Sequence, residues 1–485
     1  MSQTLDAAVE AAVKPIADGL SAFVFYRIPV GDFDIPWIVL WLATAATFFT
    51  VYLGFANVRA FPLALRLVRG DYHDQDAPGE ISHFRAVATA VSGTVGIGNI
   101  GGVAVAIAIG GPGAALWLVI AGFLSMSTKL VECTLGVKYR RENPDGSVSG
   151  GPMYYLEEWL RVRHWPRAGR ALGAFYAGCL VIGCLGIGNM FQSNQAYVQL
   201  VTISGGPESY FASRGWLVGV VIAVLVGVVI VGGIRSIARF AGRVVPLMAT
   251  LYVVSALVII TMSYAEIPAA LRLIVSSAFD LQSVTGGMIG AMITGFQRAL
   301  FSNEAGIGSA SIAHSAVQTH HPASEGTVAL LEPFIDTVVV CTLSSLVIVV
   351  TAYPAGLMES GLEGIALTSA AFAHHVSWAP YPLAVAAFLF AFSTAVSWSY
   401  YGLKACTYLL GEAGAVQTSF KLVFCAFLAL GCMIQLESVL AFADAMIFLI
   451  AIPNTIGLYL YAAEVKRELR SFRAGIASGE ITRAP

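Results

Sequence analysis

Apolar residues in this chain fall in long, nearly unbroken runs, not in the alternating or amphipathic spacing of water-facing elements. A helix of about 20 apolar residues is long enough to cross a bilayer's hydrocarbon core. The pattern predicts eleven such segments, over 36–57, 84–109, 113–136, 171–202, 215–233, 244–263, 284–312, 328–352, 382–403, 416–435 and 438–462. Before the first of them Leu5, Val9, Val13, Ile16 and Leu20 recur at helical spacing, interrupted by Asp6, Glu10 and Asp18. Residues 1–35 therefore read as an amphipathic segment lying on the membrane, without the basic start or cleavage site of a signal peptide.

Two segments depart from the pattern. The second holds Gly93, Gly96, Gly98, Gly101 and Gly102 within ten positions, and each glycine costs a helix interior about 1 kcal/mol relative to Ala. The seventh runs Gly295-Phe296-Gln297-Arg298 and on through Ser302-Asn303-Glu304-Ala305-Gly306-Ile307-Gly308. Both read as half-helices around a hinge, a break tolerated in lipid only where it is buried or lines a cavity. They stand five segments apart and run in opposite directions, which predicts a 5+5 inverted repeat preceded by one extra span. Interrupted helices at matching positions of two such halves point to a transporter's binding site. Their partners, segments four and nine, carry runs of neutral polar groups, Gly188-Asn189-Met190-Phe191-Gln192-Ser193-Asn194-Gln195 and Ser393-Thr394-Ala395-Val396-Ser397-Trp398-Ser399-Tyr400. The divisions that follow are 1–35 (amphipathic, outside), 36–83 (extra span and inner loop), 84–263 and 264–462 (the two repeats), and 463–485 (cytoplasmic tail).

The placement of charge tests the count. With the N-terminus outside, 21 of the 27 Lys and Arg fall in inner loops and the tail, and only Lys14, Arg27, Arg214 and Arg272 fall outside. Excess Lys and Arg mark the cytoplasmic side, so the C-terminus is placed inside. Lys129 and Arg298 lie within segments, and Lys129 is expected to snorkel inward. Tyr154 and Tyr155 are read as interfacial anchors. The stretch 361–378 is read as an outer lid or a surface helix.

Composition agrees: 57% of residues are hydrophobic and 12% charged, against about 25% charged in soluble domains. A net charge of −2 lacks the basic footprint of a nucleic-acid binder. The seven Cys are odd in number and show no CxxC spacing, so they read as small core residues. No enzyme emerges. The string Gly96-x-Gly98-x-x-Gly101 lacks the strand and acid of a dinucleotide fingerprint, and the eight His fall in loops or near segment ends without a metal pattern. Glu332 and Asp336 read as opening the eighth segment near its end. What remains at the centre is backbone, Thr, Ser, Asn, Gln and Trp398, a neutral dipolar set suited to a zwitterion. Half-helix N-termini favour its carboxylate, and carbonyls and hydroxyls suit Na⁺.

At these residues the chain resembles the alanine or glycine:cation symporters, also called sodium:alanine symporters, over about residues 80–470. The stretches that carry the resemblance are Gly93 to Gly102, Gly150-Gly151-Pro152-Met153-Tyr154-Tyr155, Gly188-Asn189-Met190, Gly232-Gly233-Ile234, Ser302 to Gly308, and Ser397-Trp398-Ser399-Tyr400-Tyr401-Gly402. The resemblance implies an all-α polytopic LeuT-type fold in a prokaryotic cytoplasmic membrane, and Na⁺-driven uptake of alanine and glycine. Carried over by motif, Asn99 and the backbone from Thr94 through Gly96 to Gly98 hold the carboxylate. Gln192, Thr394 and Trp398 line the pocket, with backbone near Gly295. Na⁺ sits near Gly93, Ser393 and Thr394. Ala299, Ser311 and Leu403 depart from the family pattern, Ala299 beside the hinge. Coupling to H⁺, with Glu304 or Asp444 as proton site, and a small-solute channel remain alternatives.

Overall fold

The computed structural model describes residues 14–30, 33–72, 76–144, 146–280, 287–362, 364–374, 376–434 and 436–483. Residues 1–13 of the amphipathic stretch, His73 and His375 lie outside them. Residues 14–24 are helical. An antiparallel hairpin then pairs Arg27–Val30 with Phe33–Pro36, where the sequence pattern had continued one amphipathic segment to residue 35.

Among the described residues, seven helices are long and apolar enough to cross a membrane, or eight when one bent pair counts as a single span. Two expected spans are shorter than read. Trp37–Tyr52 and Gly215–Ile230 have 16 residues each. Left-handed turns end them early, at Gly54 and Phe55 in the first case and at Gly233 in the second. Segments four and eight run longer than read, over Pro166–Ile203 and Pro322–Val350. Each contains a π-helical stretch, Gly186–Met190 and Phe334–Cys341, a form that recurs where a helix serves a site.

The second segment breaks as expected. Helix α1 (His83–Thr94) ends, a 3-10 turn spans Ile97–Asn99, and α2 (Gly101–Gly110) leaves at 65°. Helix α3 (Gly113–Lys138) follows through the centre of the molecule. Helices α4 (Pro166–Leu185) and α5 (Phe191–Ile203) flank the first π-helical stretch. The seventh segment is α6 (Gly287–Asn303), an irregular hinge, and α7 (Ser309–His314). Its hinge puts Glu304, Gly306 and Gly308 at φ 55°, 92° and 90°. Glu304 has no glycine's freedom there, and a side chain held left-handed marks a hinge fixed by its surroundings. Helix α8 (Pro322–Val328) opens segment eight, and α9 (Pro380–Leu410) is segment nine. The helix Gly364–Ala373 is no surface element. It buries Ile365, Leu367 and Phe372 and lies so close to α2 that a Cβ on Gly101 would stand 2.7 Å from the Ile365 nitrogen.

Candidate functional site

The break in segment two exposes backbone donors at the start of a new helical turn, which no helix carbonyl can satisfy. Side-chain amides take them. The Gly96 N–H donates to Asn99 Oδ1 at 3.0 Å and the Ile97 N–H to Gln192 Oε1 at 3.3 Å. Asn99 is itself oriented from behind. Its Nδ2 donates to the Asp336 carbonyl at 3.1 Å and to Asp336 Oδ1 at 2.5 Å. The other Asp336 oxygen accepts from Ser302 Oγ at 2.8 Å and Thr337 Oγ1 at 2.7 Å. An ionised carboxylate accepts only, so Asp336 decides which end of the Asn99 amide faces Gly96.

The walls close tightly on this turn. A Cβ on Gly96 would lie 2.9 Å from Thr394 Oγ1 and 3.1 Å from Gln192 Oε1, and one on Gly98 would lie 3.3 Å from the Phe301 ring. Trp398 is fully buried. Its ring occupies space that Gly188 leaves, since a Cβ there would fall 1.9 Å from Trp398 Cγ. Its Nε1 donates to Glu304 Oε1 at 3.0 Å, which ties segment nine to the hinge of segment seven. The structure thus gathers Gly96, Gly98, Asn99, Gln192 and Thr394, with Trp398 beside them.

Two expected residues do not join. The Thr94 hydroxyl turns back to the Ala90 and Val91 carbonyls of its own helix, at 3.4 Å each. Gly295 serves packing: its Cβ would stand 2.6 Å from the Ala114 carbonyl oxygen on α3.

Hydroxyls and two carbonyls meet between α1 and α9. Thr394 Oγ1 and Ser393 Oγ donate to the Ser92 carbonyl at 3.1 and 3.4 Å, and Ser397 Oγ to the Thr89 carbonyl at 2.9 Å. Gly93 lies against Tyr401, whose hydroxyl would stand 2.8 Å from a Cβ there and has no hydrogen-bond partner among the described residues. These are hard oxygen ligands of the kind that Na⁺ takes.

Below this neutral site lies a charged one that the sequence pattern placed wrongly. Lys129 does not snorkel. It is 0% exposed and donates to Glu332 Oε1 at 2.9 Å. Glu332 and Asp336 are interior groups, not segment ends, and are also 0% exposed. Burial in lipid or protein is tolerable for Lys129 only because its partner is equally buried. Glu132, one turn further along α3, accepts from the Gly306 N–H at 2.7 Å and Asn454 Nδ2 at 2.9 Å. His83 and His314 are buried on Glu325. Tyr154 and Tyr155 are core residues, and the Tyr155 hydroxyl meets Asn454. Arg298 and Asp444 pair at 3.1 Å. The signal for Asp336, Glu332 and Lys129 was present: ionisable groups inside apolar runs are costly unless they serve a purpose. Nothing in the sequence signalled Phe301.

Comparison with known proteins identifies the family. The model of the "Sodium:alanine symporter family" matches residues 29–484. The chain belongs to that family. It is therefore a multi-pass membrane transporter of the kind that couples amino-acid movement to Na⁺. The sodium/alanine symporter AgcS of Methanococcus maripaludis is 37% identical over 438 residues, 90% of this chain and 94% of that one. The probable sodium/glutamine symporter GlnT of Bacillus subtilis is 33% identical over 450 residues, 90% and 89% of the two chains. Among solved structures, MhsT in complex with L-phenylalanine aligns at a TM-score of 0.56 and 14% identity, covering 79% of this chain and 89% of that one. A Na⁺-coupled sialic acid symporter aligns at 0.51 and 13%, covering 81% of each. At such identities the likeness is one of fold.

Proposed function

We propose that this chain carries small neutral amino acids, alanine and glycine, into the cell together with Na⁺ by alternating access. The observation that carries the reading is the pair of N–H groups at Gly96 and Ile97, held by the amide oxygens of Asn99 and Gln192. A substrate carboxylate is a stronger acceptor than an amide oxygen and sits favourably at a helix N-terminus. Once displaced, the two amide oxygens are free to accept from the substrate ammonium. Gly98, Thr394, Phe301 and Trp398 would bound the side chain, and contacts this close favour a small one. The name of the Methanococcus relative supports alanine; glutamine, from that of the Bacillus relative, is the competitor.

The cation is assigned to the Ser92 and Gly93 backbone with the Ser393 and Thr394 hydroxyls. Bound there, it would pin α9 against the unwound turn and complete the amino-acid site. The Lys and Arg distribution supports an N-terminus outside and a C-terminus in the cytoplasm. One charge moving through 100 mV releases about 2.3 kcal/mol, and a tenfold Na⁺ gradient adds about 1.4 kcal/mol. At one Na⁺ per substrate their total sustains roughly 500-fold accumulation. The test is radiolabelled alanine uptake into proteoliposomes under imposed Na⁺ or H⁺ gradients. Saturable, Na⁺-driven accumulation is expected. Uptake indifferent to Na⁺, or equilibration without accumulation, overturns the reading.

A further inference from the structure

The neutral site leaves a buried chain of ionisable groups unused. It starts at His83, at the head of α1, whose Nδ1 meets one oxygen of Glu325. The other Glu325 oxygen lies 2.5 Å from His314 Nδ1, on the last residue of α7. His314 Nε2 faces Glu332 Oε2 at 3.6 Å, and Glu332 Oε1 takes Lys129. All five side chains are at most 3% exposed.

Two features of this chain call for a proton. The first is charge. Glu132, Glu304, Glu325 and Glu332 lie in one electrostatic neighbourhood with Lys129, His83 and His314. Glu325 and Glu332 both contact His314 directly, and Lys129 pairs with Glu332 alone, so a proton on His314 brings the group nearer balance; burying unbalanced charge is expensive. The second is geometric. His314 Nε2 and Glu332 Oε2 are both buried and both lack a hydrogen-bond partner among the described residues, yet they face each other. A neutral imidazole that donates from Nδ1 to Glu325 turns a lone pair on Nε2 toward the lone pairs of a carboxylate. Only a second proton, on Nε2, turns that contact into attraction.

The site also lies where the ends of the two broken segments meet. The chain before α1 and the chain after α7 are strapped together by a parallel bridge between Ile81 and Val317. Arg140 clamps this strap, donating to the carbonyls of Pro78 and Val317 at 2.6 Å, Ser315 at 2.8 Å and Thr319 at 3.1 Å. The strap covers the ends of both broken segments on the side assigned to the cytoplasm. Other titratable groups that act on the carboxylates of this cluster include Cys133 on α3, Tyr401 on α9, Tyr155 on the helix Pro152–Arg161, Tyr176 on α4, and Arg140 itself. Of these only Arg140 carries a fixed charge, and it is committed to carbonyls.

We propose that His314 is a proton-binding site, an imidazolium shared by Glu325 and Glu332 while the strap is closed and emptied to the cytoplasm when α7 parts from α8. H⁺ is then a ligand of the transport cycle, distinct from Na⁺. This rests on the alternating-access reading above for its consequence in transport, though not for the proton itself. The sign follows directly. The proton stabilises the closed strap, so acidifying the inner solution slows inward release and uptake, and raising inner pH speeds it until the site is empty in both states.

Two measurements test this on the full chain. In ¹⁵N-histidine-labelled protein, His314 is assigned as the resonance lost in His314→Gln. It is expected to carry protons on both nitrogens at about pH 7.5, where an ordinary imidazole is neutral. Glu332→Gln should return it to the singly protonated form. A wild-type His314 already neutral at that pH overturns the proposal. In proteoliposomes, inner pH is stepped from about 8 to about 6, across the range where imidazoles titrate. Wild-type Na⁺-driven alanine uptake should fall severalfold, and the His314→Gln and Glu332→Gln profiles should be flat. A variant profile as steep as wild type overturns the proposal. Absence of Na⁺-driven alanine uptake in the wild type would instead remove the transport reading, and the NMR result would still decide the proton site.

Discussion

The two broken segments look alike in sequence and are stabilised in opposite ways. At the first break, the loose backbone donors rest on neutral amides, Asn99 and Gln192. At the second, the protein's own fixed partners hold the backbone. Glu132 and Asn454 take the Gly306 N–H and carbonyl, and Tyr176 donates to the Ile307 carbonyl at 2.7 Å. A ligand carboxylate can take over the donors that the two amides hold at the first break, whereas at the second, side chains from three other segments fix an N–H and two carbonyls together. The first break is therefore fit to bind and release a solute, and the second to hold shape and sense charge.

Substitutions that treat the two regions differently can break this comparison. The largest effect is expected at Lys129. Lys129→Met strands Glu332 in the interior, which costs roughly 3–5 kcal/mol, read as a large drop in thermal stability. The double change Lys129→Met/Glu332→Leu should recover most of it. Equal losses in the single and double variants would mean that Glu332 is not the partner that matters. At the first break the expected effect is on transport more than on stability. Asn99→Ala frees the Gly96 N–H and leaves Asp336 without its amide donor. At about 1–3 kcal/mol for a lost buried partner, apparent alanine affinity should weaken roughly 5–150-fold, and unchanged uptake would remove Asn99 from the site. Gly98→Ala pushes a methyl toward Phe301 and should raise glycine's preference over alanine about tenfold, the usual worth of one methylene in a pocket. An unchanged ratio in competition assays would move the wall elsewhere. Trp398→Phe keeps an aromatic ring of smaller volume and removes the hydrogen bond to Glu304. About 1 kcal/mol is at stake in that hydrogen bond alone, visible as a rise in KM; an unchanged KM would remove Trp398 from the pocket wall.

Much of this was legible from residue order. Glycine density marked the second segment, and the break stands between Thr94 and Ile97 as the pattern required. Neutral polar runs marked segments four and nine, the family resemblance picked Gln192 and Thr394 within them, and both reach Gly96. The misreadings share a cause. Lys129, Glu332 and Asp336 were placed by their cost in lipid, which pushes a lone charge toward an interface. Each instead has a partner remote in the chain, Lys129 with Glu332 and Asp336 with Asn99, and pairing lowers that cost. Gly295 was carried over by motif for its backbone, and its close packing against Ala114 and Trp117 on α3 depends on a segment remote in the chain.

The sequence by itself determined the membrane address, the two interrupted segments and the neutral chemistry of the first, because hydropathy, glycine content and residue type are local quantities. Tertiary structure alone decided which buried charges meet and which way the Asn99 amide points. It also decided that Phe301 stands against Gly98. These depend on distances between segments remote in the chain, and an ion pair or a close contact exists only once folding has brought its two halves together.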